Sequence, residues 1–180
     1  EISCAGTRQD GDIQAGVAWP VPRFTDPEGG TIFDNLTGLE WTKDASPGGY
    51  MTWQQALDYV KTLNTGSHTD WRLPNVEELR SLVDNSQYSP SLPQGHPFTN
   101  GQSHDYWSST TIAGDPVSAW VVGMSSDGFV YYGNKSYNVS YAWPVRAGQV
   151  GGSFGTSTTT TTVPGTDTTT TTTASLAASG

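Results

Sequence analysis

Apolar and polar positions follow no helical or strand period over the first sixteen residues and then settle into short, punctuated blocks. In residues 1–23 (EISCAGTRQDGDIQAGVAWPVPR) a glycine-rich start gives way to Val17, Trp19 and Val21 at every second position, with Pro20 and Pro22 between them. Proline has no amide to give to a ladder, so this stretch reads as an arm holding at most one edge or donated strand. From Phe24 the run TDPEGGTIFDNLTGLEW predicts a hairpin, with turn chemistry in Asp26–Gly30 and again in Asp34–Gly38. Thr52 and Gln55 stand at the two reciprocal positions of a capping box. Behind them Trp53, Ala56, Leu57, Val60 and Leu63 share one helical face, with stop residues at Asn64–Gly66. A second helix is predicted in PNVEELRSLVD, capped by Asn75 and boxed by Glu78, with Val76, Leu79, Leu82 and Val83 as its buried stripe. After a loop at 85–104, the segments DYWSSTTI, VSAWVVGM, FVYYGNK and SYAWPVRAG predict an antiparallel meander. The expected class is α+β, two short helices packed on antiparallel sheet.

Composition sharpens this reading. Of 180 residues only 14% are charged, against seven Trp, eight Tyr and 21 Gly, a balance that suits strands and turns. About 150 residues of globular composition make one domain, placed at 24–148. The net charge of -9 and the single spacing of Arg8, Arg23, Lys43, Lys61, Arg72, Arg80, Lys135 and Arg146 argue against nucleic acid and anionic membranes as partners. No apolar run approaches the length of a membrane span. The chain opens on Glu1, as it would after loss of an export signal, although a boundary of another origin would look the same.

Beyond Ala147 the composition shifts to Gly, Ser and Thr, giving a linker or stalk at 149–180. Thr158, Thr159, Thr160, Thr161, Thr162 and Thr168, Thr169, Thr170, Thr171, Thr172, Thr173 are its candidate O-glycosylation sites. Either sugars stiffen such a tail or a neighbouring subunit holds it. The sequons at Asn35, Asn134 and Asn138 are weaker candidates. Cys4 has no intrachain partner and is a free thiol or half of an intermolecular bridge.

Little in the chain suggests catalysis. His68, His96 and His104 lack metal-ligand spacing and read as solvated loop residues. Asp10, Asp12, Asp26, Glu28 and Asp34 could offer oxygens to Ca²⁺, but without the spacing of a calcium loop they read first as solvated turns. No metal or other cofactor is expected.

FDNLTGLEWTKDA at 33–45, TWQQALDYVKTLN at 52–64, TDWRLPNVEELRSLVD at 69–84, and DYWSST, AWVV, YYGNKS and WPVRAG between 105 and 148 resemble the C-terminal domain family of Legionella collagen-like protein. This resemblance implies a C-type-lectin-like fold related to that of formylglycine-generating enzymes. It also identifies CAGTRQDGDIQAGVAWPVPRF as a leader similar to those of other members. Members carry further cysteines that this chain lacks, and formylglycine generation would need a cysteine pair, so no enzyme is expected. Within DWRLPN, Trp71 and Leu73 are read as core, Pro74 and Asn75 as a helix start, and Arg72 as the partner of an acidic group. Together with Trp41, Glu78 and Trp107 they form the expected fold-defining set, and Trp120 and Trp143 are read as core too.

Two functions then compete. The first is an extracellular, non-enzymatic subunit of a bacterial surface fibre, assembling with other copies of itself through Cys4, Val17, Trp19 and Val21 in the arm or through the tail. The second is an adhesin or lectin-like module that takes surface glycans at loops 85–104 and 112–118, using exposed aromatics such as Tyr88, Tyr106, Tyr131 and Tyr132.

Overall fold

A computed structural model describes Gly6, Arg8, residues 18–125 and 128–148, and the backbone of 157–160 and 170–173. Contacts divide the chain into one unit at 1–149 and another at 150–180.

The first unit is α+β. A four-stranded sheet has the order β1-β2-β3-β9, and a five-stranded sheet the order β4-β8-β5-β6-β7. In the first, β1 (Phe24–Thr25), β2 (Thr31–Asp34), β3 (Leu39–Thr42) and β9 (Val145–Ala147) are antiparallel throughout. The β2–β3 hairpin closes where the sequence places its turn. Asp34 Oδ1 accepts the Leu36 amide at 2.9 Å, its carbonyl accepts the Gly38 amide at 2.8 Å, and Gly38 takes φ +70°, which glycine adopts without a Cβ clash. The second sheet contains β4 (Tyr50–Met51), β5 (Asp105–Ile112), β6 (Asp115–Gly123), β7 (Val130–Asn134) and β8 (Ser140–Tyr141).

Both predicted helices form, and each carries the full reciprocal cap. In α1 (Trp53–Val60) Thr52 accepts the Gln55 amide while the Gln55 side chain accepts the Thr52 amide at 2.9 Å. In α2 (Val76–Ser81) Asn75 Oδ1 and Glu78 Oε2 exchange the same pair of bonds, each at 2.8 Å. The first helix is shorter than its apolar stripe suggests. It ends at Val60 with Lys61 as C-cap, and Thr62 and Leu63 turn back onto the Tyr59 and Val60 carbonyls, so Leu63 lies outside the helix.

The expected closing meander is also corrected. SYAWPVRAG is not one strand: its start, β8, lies between β4 and β5, parallel to β5, and its end, β9, crosses to the other sheet beside β3. Trp143 and Pro144 make the break, because Pro144 has no amide for a ladder and Trp143 turns inward to full burial. There its ring meets Trp41 edge-on at 5.9 Å and Phe98 at 4.8 Å. One buried cluster gathers Trp41, Leu79, Leu82, Tyr106, Trp143 and Val145. A second gathers Ala56, Val60, Leu73, Trp107 and Val121.

In the second unit β10 (Ser157–Thr160) pairs antiparallel with β11 (Thr170–Thr173), and the rest of the stretch read as a linker or stalk lies outside the described residues. Threonine is β-branched and favours extended backbone, so a run of it can pair where apolar content is low.

Candidate functional site

The DWRLPN segment joins the two sheets and a helix. Trp71 and Leu73 are 3% and 1% exposed, and Pro74 is buried before the Asn75 cap. Arg72 grips Glu78 with two parallel bonds of 2.7 Å, while its backbone exchanges bonds of 3.0 and 2.9 Å with Val145 of β9. Glu78 therefore serves the helix cap and the ion pair at once. Burial works to raise its pKa, but the Arg72 guanidinium and the Asn75 amide outweigh it and hold the carboxyl below its ordinary value. One residue further along β9, buried Arg146 reaches Asp70 at 2.7 Å through Nε and Glu40 through Nη1. Trp41 and Trp107 are fully buried, so every member of the expected fold-defining set lies in the core or at this junction.

Each Lys and Arg between residues 18 and 148 has a local partner: Asp34, Asp26, Asp58, Glu78, Glu77 and Glu40 hold Arg23, Lys43, Lys61, Arg72, Arg80 and Arg146. Lys135 lies over the Trp53 ring at 4.2 Å. Cationic charge here is consumed within the module rather than displayed as a patch.

The far edge of the five-stranded sheet is different. Among the described residues, strand β7 pairs only with β6. The Phe129 carbonyl accepts the Gly123 amide and the Lys135 amide donates to the Val117 carbonyl, both at 2.9 Å. Antiparallel alternation therefore turns odd-numbered β7 residues toward β6 and points the amides and carbonyls of Val130 and Tyr132 outward. Asn134, the next in that series, is closed off by Asn138, whose Oδ1 accepts its amide and whose own amide donates to its carbonyl. Phe129 and Tyr132 are each 64% exposed, and Tyr137 and Val139 are exposed beyond them. Beside this edge runs an open groove of about 790 Å³, with Glu77, Arg80 and Asn85 on one wall and Trp120, Phe129 and Val130 on the other.

A second cleft, of about 440 Å³, opens beside the arm and is walled by Trp19, Pro22, Phe24, Pro93, His96 and Pro97. Arg23 lines it from within. Its guanidinium lies 4.3 Å from the Trp19 ring and 4.8 Å from the Phe24 ring, and Nη2 binds Asp34 at 3.3 Å and the Ser81 carbonyl.

Several expected sites fall elsewhere. Tyr106, expected at the surface, is fully buried, with its hydroxyl accepting the Gln102 amide at 2.8 Å. Burial holds that phenol protonated far above the usual range. Tyr88 is 79% exposed, and Tyr131 is half-buried on the core. In the arm, Trp19 is 45% exposed and Val21 98% exposed; residues 18–23 form no strand, and Cys4 and Val17 lie outside the described residues. Of the tail threonines, Thr158–Thr160 and Thr170–Thr173 belong to paired strands, whereas Thr161, Thr162, Thr168 and Thr169 lie outside the described residues.

The acidic set considered for Ca²⁺ is dispersed. Asp26 binds Lys43 at 2.5 Å, Asp34 binds Arg23, Glu28 is exposed, and Asp10 and Asp12 lie outside the described residues. Among the described residues no group of three or more His, Cys, Asp and Glu could hold a metal ion, and no helix is long and apolar enough to cross a membrane. Two of the three histidines are less solvated than their loops suggest, since His68 lies 3.9 Å from Glu40 and His96 is half-buried, which lowers its pKa, whereas His104 is exposed. The β7 edge and the Arg23 cleft escaped sequence reading, because each depends on what stands beside it in space.

No curated protein and no solved structure matches the chain. Residues 30–146, which contain the DWRLPN junction, both helices and the β7 edge, match the Lcl C-terminal domain, and the chain belongs to that family.

Proposed function

We propose that this protein is a non-enzymatic, extracellular structural subunit of a bacterial surface fibre, whose copies join by strand addition. The observation that carries the reading is the outward row of backbone groups on Val130 and Tyr132 in β7. Sheet edges are ordinarily blunted by proline, charge or a covering loop, and the segment Phe129–Gly133 contains no proline and no charge. The β10–β11 hairpin supports it from the other side, since a lone two-stranded ribbon is marginal in water and gains by joining a third strand. The arrangement of two helices and two sheets over 24–148 fits a C-type-lectin-like fold. The tail threonines are the proposed carriers of O-linked sugars.

The test is electron microscopy and light scattering of the purified full chain beside Tyr132→Pro and Tyr132→Lys. The proline removes an outward amide without touching the β6 ladder, and the lysine adds an edge charge. Fibres or defined oligomers of the parent chain, weakened in both variants, are expected; a parent chain that stays monomeric overturns the reading. Intact mass read against 19.2 kDa tests the sugars, with a heterogeneous excess expected.

A second reading is a glycan-binding module, favoured by the groove beside β7, where Trp120 and Phe129 offer ring faces and Glu77, Arg80 and Asn85 offer hydrogen bonds. Binding on a glycan array that Phe129→Ala abolishes would support it.

A further inference from the structure

From the Arg23 cleft we infer a second binding site, which takes a carboxylate carried on an apolar or aromatic body. Arg23 is 7% exposed, and its Nε and Nη1 groups are buried with no hydrogen-bond partner. A buried donor without an acceptor is costly, and a guanidinium carries five N–H groups for acceptors to meet. In the same cleft His96 Nδ1 is also buried and without a partner.

The molecule shows what a completed guanidinium looks like. Arg146, 5% exposed, divides its donors between two carboxylates, Asp70 at Nε and Glu40 at Nη1. Arg23 has one carboxylate, Asp34, at Nη2, and lacks a counterpart for the two nitrogens that Arg146 uses. A second carboxylate at Arg23 would reproduce the Arg146 arrangement. The two other acids on the cleft are already engaged: Asp26 with Lys43, and Asp84 Oδ1 with the Ser86 amide and hydroxyl at 2.9 and 2.7 Å.

The walls state what carries the carboxylate. Trp19 and Phe24 stack on the guanidinium, and Pro22, Pro93 and Pro97 close the sides, so the ligand body meets flat apolar surface. Burial holds the neutral imidazole of His96 in place to donate to, or accept from, the same ligand. A small aromatic acid and the α-carboxylate of a peptide chain both supply this chemistry.

The test uses the full chain with benzoate, benzamide, and a short aromatic-terminated peptide in free-acid and amidated forms. The readouts are the Arg23 Nε–H resonance and Trp fluorescence, compared with Trp19→Ala to isolate that ring. Benzoate or the free-acid peptide should shift the Nε–H resonance saturably, while benzamide and the amidated peptide should not. A response to benzoate alone identifies a small acid as the source, and a response to the peptide acid alone identifies a chain terminus. Because Arg23 also holds Asp34 and Ser81, Arg23→Lys is judged beside His96→Phe, which keeps a ring and removes both nitrogens. His96→Phe should weaken binding by about tenfold, the loss expected for one buried hydrogen bond. Failure of both acids to shift the Arg23 resonance, equal binding of the neutral partners, or unaltered affinity in His96→Phe would each overturn the site.

Discussion

At the scale of single residues, Glu78 does two jobs, and its pKa direction turns them into a pH dependence. Its folded pKa lies below its ordinary value, so its contribution is present above the unfolded pKa and is lost as pH falls through the folded one. Asp70 acts in the same direction: the Arg146 bond lowers its pKa, though solvent screens this exposed carboxylate. Urea midpoints should therefore fall as pH drops below about 4.5, and Glu78→Gln should lower the neutral-pH stability by about 1–3 kcal/mol and flatten the acid slope. Arg146→Met should cost more, about 3–5 kcal/mol by denaturant unfolding, because it leaves Glu40 buried at 7% exposure beside a lost cation. The double variant Arg146→Met/Glu40→Leu should recover much of that loss. Sequence reading found Glu78, Asn75, Thr52 and Gln55 because a capping box is a pattern only four residues long. It could not find the Arg23 cleft or the burial of Tyr106, because Ser81, Pro93 and His96 around the first and Tyr141 and Trp143 around the second lie tens of residues away.

At the scale of elements, β7 is fixed from below as firmly as it is open at its side. Gly133 is buried on Trp107, and a Cβ there would meet the indole Cη2 at 2.8 Å. Trp107 cannot retreat, since it is fully buried and its indole N–H donates to the Met51 carbonyl at 2.9 Å. Gly133→Ala should cost about 1–3 kcal/mol, read from chemical denaturation, although alanine is otherwise mild at this size. The hairpin β2–β3, the helices and β5–β7 were all legible, because turn residues and periodicity mark them locally. The partition of residues 140–147 between two sheets was not, because a Trp-Pro pair inside a strand-like run shows an interruption without showing where each half goes. The length of α1 failed for a similar reason: Leu63 keeps helical spacing but lies beyond the point where the chain turns at Lys61.

At the scale of the whole molecule, family membership was legible from DWRLPN and its companions, and the same residues turn out to clasp β9 to the rest of the first unit. The candidate assembly edge was half legible. FVYYGNK announces a strand, but only its place at the end of the sheet order, with no further strand beside it among the described residues, makes it an edge. Charge tells a similar story, since the acidic excess was plain from the sequence whereas the consumption of the basic residues in local pairs required coordinates.

The order of the smaller sheet sets how the first unit would carry tension. Three antiparallel steps separate β1 from β9, so the start of β1 and the end of β9 lie at the same end of that sheet, roughly 15 Å apart. A pull applied through both would peel the outer strands open one hydrogen bond at a time instead of shearing all of them together. Such a module yields at low force and pays out chain, with the Arg72–Val145 bridge and the Arg146 clasp as its last catch. Single-molecule stretching should therefore record one weak opening event, weaker still in Arg146→Met, and a fibre of these subunits would answer a sudden load by extending.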